Sequence, residues 1–369
     1  MTVEPPAAGP CATHRQGHAL GTVLVVLVLS MACLAGCGGS GTSTWTLPGF
    51  ATPPSRAAVA QARRWSADLV AAIDTVPRTS VFALKDNLSQ PMACLRLIAL
   101  QPGSYLGVYQ VGTGNDFVVD LAASHNLRNW REVRTLELNA SQPDLVTAGR
   151  GFLLAAEATT RASGLGVHNI EVRYYPSVSS LVLGRPSRRL ILPHRLAEPG
   201  SGIEGTPVVE AADLNGSLDH STITISFHYL APGLVDREGI GVLTDFSTWS
   251  AGEDEHLDEA LVHAGVDGKH GDRSFVPDTG GALEVVEAQR DPGSPWEVYL
   301  YDRVSDTVAA LRIKTPGASR SFANPAITCV PDPAGTDVAV VTLFLPNQQA
   351  GPGEAGELLY YRPSPLCAR

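Results

Sequence analysis

The feature that most constrains this chain is a unit that recurs along it. From Thr79 onward, short runs of β-forming residues alternate with Gly, Pro, Asn and Asp, the punctuation of strands and turns. Asn87-Leu88-Ser89-Gln90-Pro91 recurs as Asn139-Ala140-Ser141-Gln142-Pro143. Arg273-Ser274-Phe275-Val276-Pro277 recurs loosely as Arg320-Ser321-Phe322-Ala323-Asn324-Pro325, and Ile203-Glu204-Gly205-Thr206-Pro207 lies between the two pairs. A second run then follows each proline: Tyr105–Tyr109, Phe152–Ala156, Ile223–Phe227, Leu283–Val286 and Val338–Val341. Third runs are Phe117–Val119, Ile170–Tyr174, Gly239–Leu243, Trp296–Leu300 and Leu358–Tyr361.

Units of roughly 45–70 residues with up to four strands have the size of propeller blades. One small sheet cannot bury both of its faces. Packing about five of them around an axis buries those faces and leaves only short edges. The expected fold is therefore all-β, a five-bladed β-propeller over residues 78–369. A β-sandwich also shows short, regularly spaced strands and is the competing architecture. Ahead of the β region, residues 55–77 read as one short helix. Val59, Ala62, Leu69, Ile73 and Val76 share a face, Ser55 is placed to cap the start, and Pro77 stops it.

The first residues read as an address. Ala19–Gly36 is almost wholly apolar and ends in Leu34-Ala35-Gly36-Cys37, which resembles the lipobox of bacterial lipoproteins. That resemblance implies a signal peptide over residues 1–36, lipid on Cys37, and a body held outside the cytoplasm at a membrane surface. A retained transmembrane anchor is the alternative, since the stretch approaches the ~20 residues that a span requires. Residues 37–54 begin with Gly38-Gly39-Ser40-Gly41, a flexible tether by composition.

The net charge of −10 argues against nucleic acid as a partner, because an acidic surface repels phosphate backbones. Beyond Cys37 the exported chain has Cys94, Cys329 and Cys367. Outside the cytoplasm two of them can pair. Closing the ring would make the first and last units neighbours, which suggests Cys94–Cys329, with Cys367 to either as the alternative. None has CxxC spacing, and Asp267–Asp272 has only a faint calcium-loop texture, so no metal site is expected. No Walker loop, dinucleotide fingerprint, HExxH or G-x-S-x-G occurs, and no cofactor is implied.

Ala123-Ser124-His125-Asn126-Leu127-Arg128-Asn129-Trp130 and Leu243-Thr244-Asp245-Phe246-Ser247-Thr248-Trp249 follow two of the third runs. Both resemble the S-x-D-L-x-N-W turn of the five-bladed glycosidase propellers, the arabinanase, xylosidase and invertase group. The resemblance implies tryptophans packed between blades and an active site at the mouth of an axial funnel, built from carboxylates at the starts of innermost strands. Glycoside hydrolysis needs two such groups. Glu204, in a motif resembling E-G-P, is the candidate general acid; an ordinary loop glutamate is the alternative. The aspartate that usually precedes the first-blade proline falls at Gln90, which cannot accept a proton. Asp144, Asp86 or Asp278 could replace it, or each could be a turn aspartate. Gln90, Gln142, Arg273, Asp278 and Asn324 are candidate ligand contacts at the funnel. Two functions follow: a glycoside hydrolase using Glu204, or a non-catalytic propeller binding a glycan or envelope protein. The missing base favours the second.

Overall fold

The second runs are buried on both faces, and a strand of that kind is stable only between two other layers. The computed structural model describes residues 54–71, 73, 79–114, 116–162, 165–197, 202–232 and 235–367, and it places each second run inside a stack of sheets. The leader, Cys37 and the tether lie outside the described residues. Helix α1 (Arg56–Ala71) comes first; the Ser55 hydroxyl accepts the Ala58 N–H at its start. Strand β1 (Ser80–Val81) follows.

Blade one contains β2 (Ala93–Gln101), β3 (Ser104–Thr113), β4 (Asp116–Ser124) and β5 (Trp130–Leu138). Blade two contains β6 (Ala140–Ala148), β7 (Gly151–Ala162), β8 (Leu165–Tyr175) and β9 (Arg188–Ile191), with helix α2 (Val178–Val182) before β9. Blade three contains β10 (Glu204–Asp213), β11 (Thr222–Ala231), β12 (Val235–Thr244) and β13 (Thr248–Glu253). Helix α3 (Glu255–His263) leads to blade four: β14 (His270–Phe275), β15 (Leu283–Gln289), β16 (Trp296–Asp302) and β17 (Thr307–Ala310). Blade five is β18 (Ala323–Pro331), β19 (Asp337–Leu345) and β20 (Gly356–Pro363), completed by β1.

The result is a five-bladed β-propeller of four-stranded antiparallel meanders. Ser80 pairs with Tyr360 and Val81 with Leu359, so the start of the chain supplies the outer strand of the last blade and closes the ring. The apolar layers lie between neighbouring blades. Leu97, Tyr109 and Trp130 of blade one pack with Val338, Val340 and Leu359 of blade five. Leu153 and Val172 of blade two meet Phe227, Leu243 and Trp249 of blade three. Helix α1 lays Val59, Ala62 and Leu69 on the junction of blades four and five.

Both tryptophan turns take the place the resemblance gave them. Trp130 and Trp249 are buried between blades, and each lies over a glycine of a nearby strand. A Cβ on Gly107 would come within 3.0 Å of the Trp130 ring, and one on Gly241 within 2.2 Å of Trp249. Only glycine leaves room for those rings. In the first turn, Asn126 Oδ1 accepts the N–H groups of Arg128 and Asn129, and Trp130 Nε1 donates to the Leu127 carbonyl.

Two sequence expectations are corrected here. The described helix runs Arg56–Ala71, and Val76 and Pro77 lie outside the described residues. The repeat frame slips in two blades. Gln90-Pro91 lies in the loop before β2, and the first-blade counterpart of Gln142-Pro143 is Cys94-Leu95. Likewise Pro277 sits beyond β14, whose start is His270-Gly271-Asp272. Finally, Cys329 bridges Cys367, the alternative pairing, and not Cys94; their Cα atoms are 5.4 Å apart. Cys94 sits at the bulged start of β2, whereas Cys329 lies far along β18, where the C-terminal 3₁₀ turn Pro365–Cys367 packs.

That bridge pins the last turn to an innermost strand across 38 residues. Cys367→Ser is expected to lower unfolding free energy by about 2–4 kcal/mol, from the larger freedom of the unfolded chain. Denaturant melts check the size, and non-reducing peptide mapping should recover the Cys329–Cys367 peptide. A Cys94–Cys329 peptide would contradict the connectivity.

Candidate functional site

The innermost strands are bulged at corresponding places. Two residues oppose one between Ala93 and Arg96, Ser141 and Asp144, Gly205 and Val208, His270 and Arg273, and Ala323 and Ala326. Cys94, Gln142, Thr206 and Asn324 all adopt positive φ within these bulges. A bulge removes backbone groups from the sheet ladder, and buried N–H groups must find partners elsewhere. Here the preceding blade supplies them. Gln110 Oε1 accepts the Gln142 N–H at 2.8 Å, and Glu157 Oε2 accepts the Thr206 N–H at 3.1 Å. Glu287 accepts the Asn324 N–H, and Glu357 accepts those of Cys94 and Leu95 at 3.0 and 3.3 Å.

The bulged starts meet at the axis. Asn324 Nδ2 donates to Gln142 Oε1 at 2.8 Å across the ring, and also to Asp272 Oδ2 at 3.3 Å. Arg96 reaches from blade one to Asp272 in blade four, and donates to the Pro325 carbonyl at 3.2 Å. These side chains are buried. At this level an interlocked polar plug fills the axis. Gln142 and Asn324 are thus brought together as expected, but they bond to one another.

Glu204 starts β10, where the sequence put it, yet its carboxylate serves the connection from blade two. Oε1 accepts the N–H groups of Arg195, Leu196 and Ala197 at 2.6, 2.6 and 2.9 Å. Asp144 is buried on β6 and accepts the Val209 N–H at 2.8 Å. Burial raises its pKa, against the pull of Arg96 and of that N–H. Asp86 is a turn residue: Oδ1 accepts the N–H groups of Leu88 and Gln90, and Oδ2 accepts the Tyr109 hydroxyl.

Three candidates are not at the mouth. Gln90 is exposed in the loop before β2. Asp278 is exposed in the β14–β15 hairpin, at φ +58°, beside Pro54 and Ala58 of the helical segment. Arg273 is buried toward blade three, where it donates to Asp254 at 2.7 Å and to the Gly239 carbonyl at 2.8 Å. Glu238 and Glu284 lie 3.6 Å from its guanidinium, and Glu210 at 3.9 Å. Arg303 joins the same cluster through Glu284. Among the described residues, no group of three or more His, Cys, Asp or Glu is arranged to hold a metal.

The open part of the axis is at the other end. A cavity of about 430 Å³ is lined by all five innermost strands, from Arg96 and Asp144 outward to Thr147, Glu210, Phe275 and Thr328. It falls within the usual size of small-ligand pockets. Hydroxyls, carboxylates and one aromatic ring, stacked by Arg303 at 5.4 Å, give it a polar character. The sequence did not single out this end. A usable signal existed in the plug, however: Glu157, Glu287 and Glu357 each interrupt or open an otherwise apolar run.

Several buried carboxyls hold protons that the unfolded chain would release. Burial raises Glu287 and Glu357 from 4.5 to about 8 and Glu284 to about 7. A carboxyl raised in the folded state contributes stability below its unfolded value and loses it as pH rises toward the folded value. Stability should therefore fall between about pH 4.5 and pH 8, with Tm at pH 5.5 at least about 3 °C above that at pH 8.5. Glu287→Gln/Glu357→Gln should flatten the profile. A Tm that rises over that interval would contradict these assignments.

No protein-family model matches the chain, and no curated protein matches it. Solved structures of similar architecture exist at low identity. A family 117 glycoside hydrolase from Zobellia galactanivorans aligns over 78% of this chain and 91% of its own, with 10% identity and TM-score 0.49. Sucrose-6-phosphate hydrolase from Lactobacillus gasseri aligns over 83% and 67%, with 13% identity and TM-score 0.49. A GH32 β-fructofuranosidase from Bombyx mori aligns over 84% and 67%, with 14% identity and TM-score 0.45.

Proposed function

We propose that the chain is a membrane-anchored, non-hydrolytic propeller that binds a carbohydrate unit in the axial cavity at the outer ends of its innermost strands. The observation that carries this reading is the occupation of the strand starts. Hydrolysis needs two carboxyls free to exchange protons on either side of a sugar bond. Here Glu204 is committed to three backbone N–H groups and Asp144 to one. The first-blade position that resemblance reserves for a base holds Cys94. A general acid or base must reach the proton it transfers. Gln142 and Asn324, bonded to each other, leave no room for a sugar between them.

The cavity at the opposite end suits binding. Thr147, Ser274 and Thr328 offer hydroxyls, and the Phe275 ring lines the same wall. Anchoring is inferred from Leu34-Ala35-Gly36-Cys37 and the Gly/Ser run after it.

The test is a titration of the purified protein against arabinan, xylan and fructan oligosaccharides and bacterial envelope glycans, with product release measured in parallel. Binding without new reducing ends is expected. Phe275→Ala should weaken it about five- to tenfold, the worth of one aromatic contact. Release of sugar by the wild type, abolished by Glu204→Gln, would overturn the reading in favour of the hydrolase.

A further inference from the structure

Among the described residues of blades one and two the exposed charged side chains are arginines, with Asp116, Glu132 and Glu137 part-buried, although the chain as a whole carries −10. Between residues 126 and 197 the acidic side chains are Glu132, Glu137, Asp144, Glu157 and Glu171, and none of them is exposed. Arg131, Arg134, Arg185, Arg188 and Arg189 in the same stretch are all exposed. Of these, Arg188 pairs with Asp219 of blade three at 3.3 Å and Arg189 with the buried Glu171. A Cβ on Gly184, beside α2, would lie 2.8 Å from Arg134 Cδ, and Arg189 lies 3.7 Å from Glu137 on β5. Arg173 of β8 ties the two blades by donating to the Leu136 carbonyl of β5 at 2.8 Å. Beside the arginines stand exposed aliphatic side chains: Leu138 at 66%, Leu183 at 43% and Ile191 at 42% of full exposure.

Charges on outer strands can serve only to keep sheet edges from pairing with other chains. That purpose is met by either sign, and it gives no reason for aliphatic side chains beside them. Arginine heads flanking exposed leucine and isoleucine match a bilayer surface. The heads meet anionic headgroups and the aliphatic groups enter the boundary beneath.

We propose that the blade one–blade two rim, centred on Arg131, Arg134 and Arg185, docks on an anionic phospholipid surface. The docked face fixes how the ring sits on its membrane. The inference rests on the anchored reading, which brings the ring close to a bilayer. Cys37 precedes α1 by 19 residues, so lipid on Cys37 would keep the ring near the bilayer. The rim then faces the lipid, and the ends of the axis open sideways along the surface.

Hydrogen exchange on the full chain tests this, with vesicles of phosphatidylcholine containing phosphatidylglycerol compared with phosphatidylcholine alone. Amides of 130–138 and 183–191 should exchange about threefold or more slowly on the anionic vesicles only. The protection should disappear at about 0.5 M salt. Arg131→Gln/Arg134→Gln/Arg185→Gln should abolish it without changing the melting profile; Arg131→Gln alone should reduce it if the triple variant fails to fold. Equal protection on both vesicle types, or protection elsewhere on the ring, would overturn the proposal while leaving the anchor intact. A chain that floats with neither vesicle would overturn the anchor and the docking together. Protection by a soluble polyanion such as polygalacturonate, without any on anionic vesicles, would replace the membrane with an acidic polymer and also overturn it.

Discussion

The ring depends on how its innermost strands satisfy the backbone that their bulges release. Each bulge turns a strand start toward the axis and strands an N–H inside the protein. At four of the five blade junctions, a buried glutamate or glutamine of the previous blade accepts it: Gln110, Glu157, Glu287 and Glu357. An unsatisfied buried donor costs about 1–3 kcal/mol, so these bonds are conditions for the fold and not ornaments of it. Between blades three and four the connection is ionic. Arg273 bonds Asp254 and the Gly239 carbonyl within a cluster that includes Glu238 and Glu284.

This constraint explains why acidic residues near the axis are a poor guide to chemistry in this chain. A propeller offers its strand starts to a common centre, and carboxyls placed there can act on a sugar or on the scaffold. Glu204 and Asp144 accept backbone N–H groups, and Asp272 meets Arg96 and Asn324. Burial raises the pKa of Asp144 and Asp272 despite Arg96 nearby, since a carboxylate loses more solvation than one shared guanidinium restores.

Much of the architecture was legible in the sequence, because buried strands write themselves as short runs of β-forming residues between turns. Tyr105–Tyr109, Ile223–Phe227 and Val338–Val341 lie within the second strands of their blades, and both tryptophan turns pack between blades. The site was less legible. Gln90-Pro91 and Pro277 mimic the strand-leading prolines Pro143, Pro207 and Pro325, but a turn uses proline for the same fixed φ that a bulge does. Spacing alone cannot tell the two apart. The side-chain acceptors were hidden for a related reason. Glu287 and Glu357 sit within or beside apolar runs, and only the register shows that they meet the next blade.

The central claim is that Glu204 holds the scaffold and transfers no proton to a substrate. Glu204→Ala measures this directly, because it leaves the N–H groups of Arg195, Leu196 and Ala197 without their acceptor. The account predicts a loss of about 3 kcal/mol or more in unfolding free energy, with glycan affinity unchanged under conditions where the variant is folded. Stability equal to that of the wild type, together with loss of glycan turnover, would contradict it.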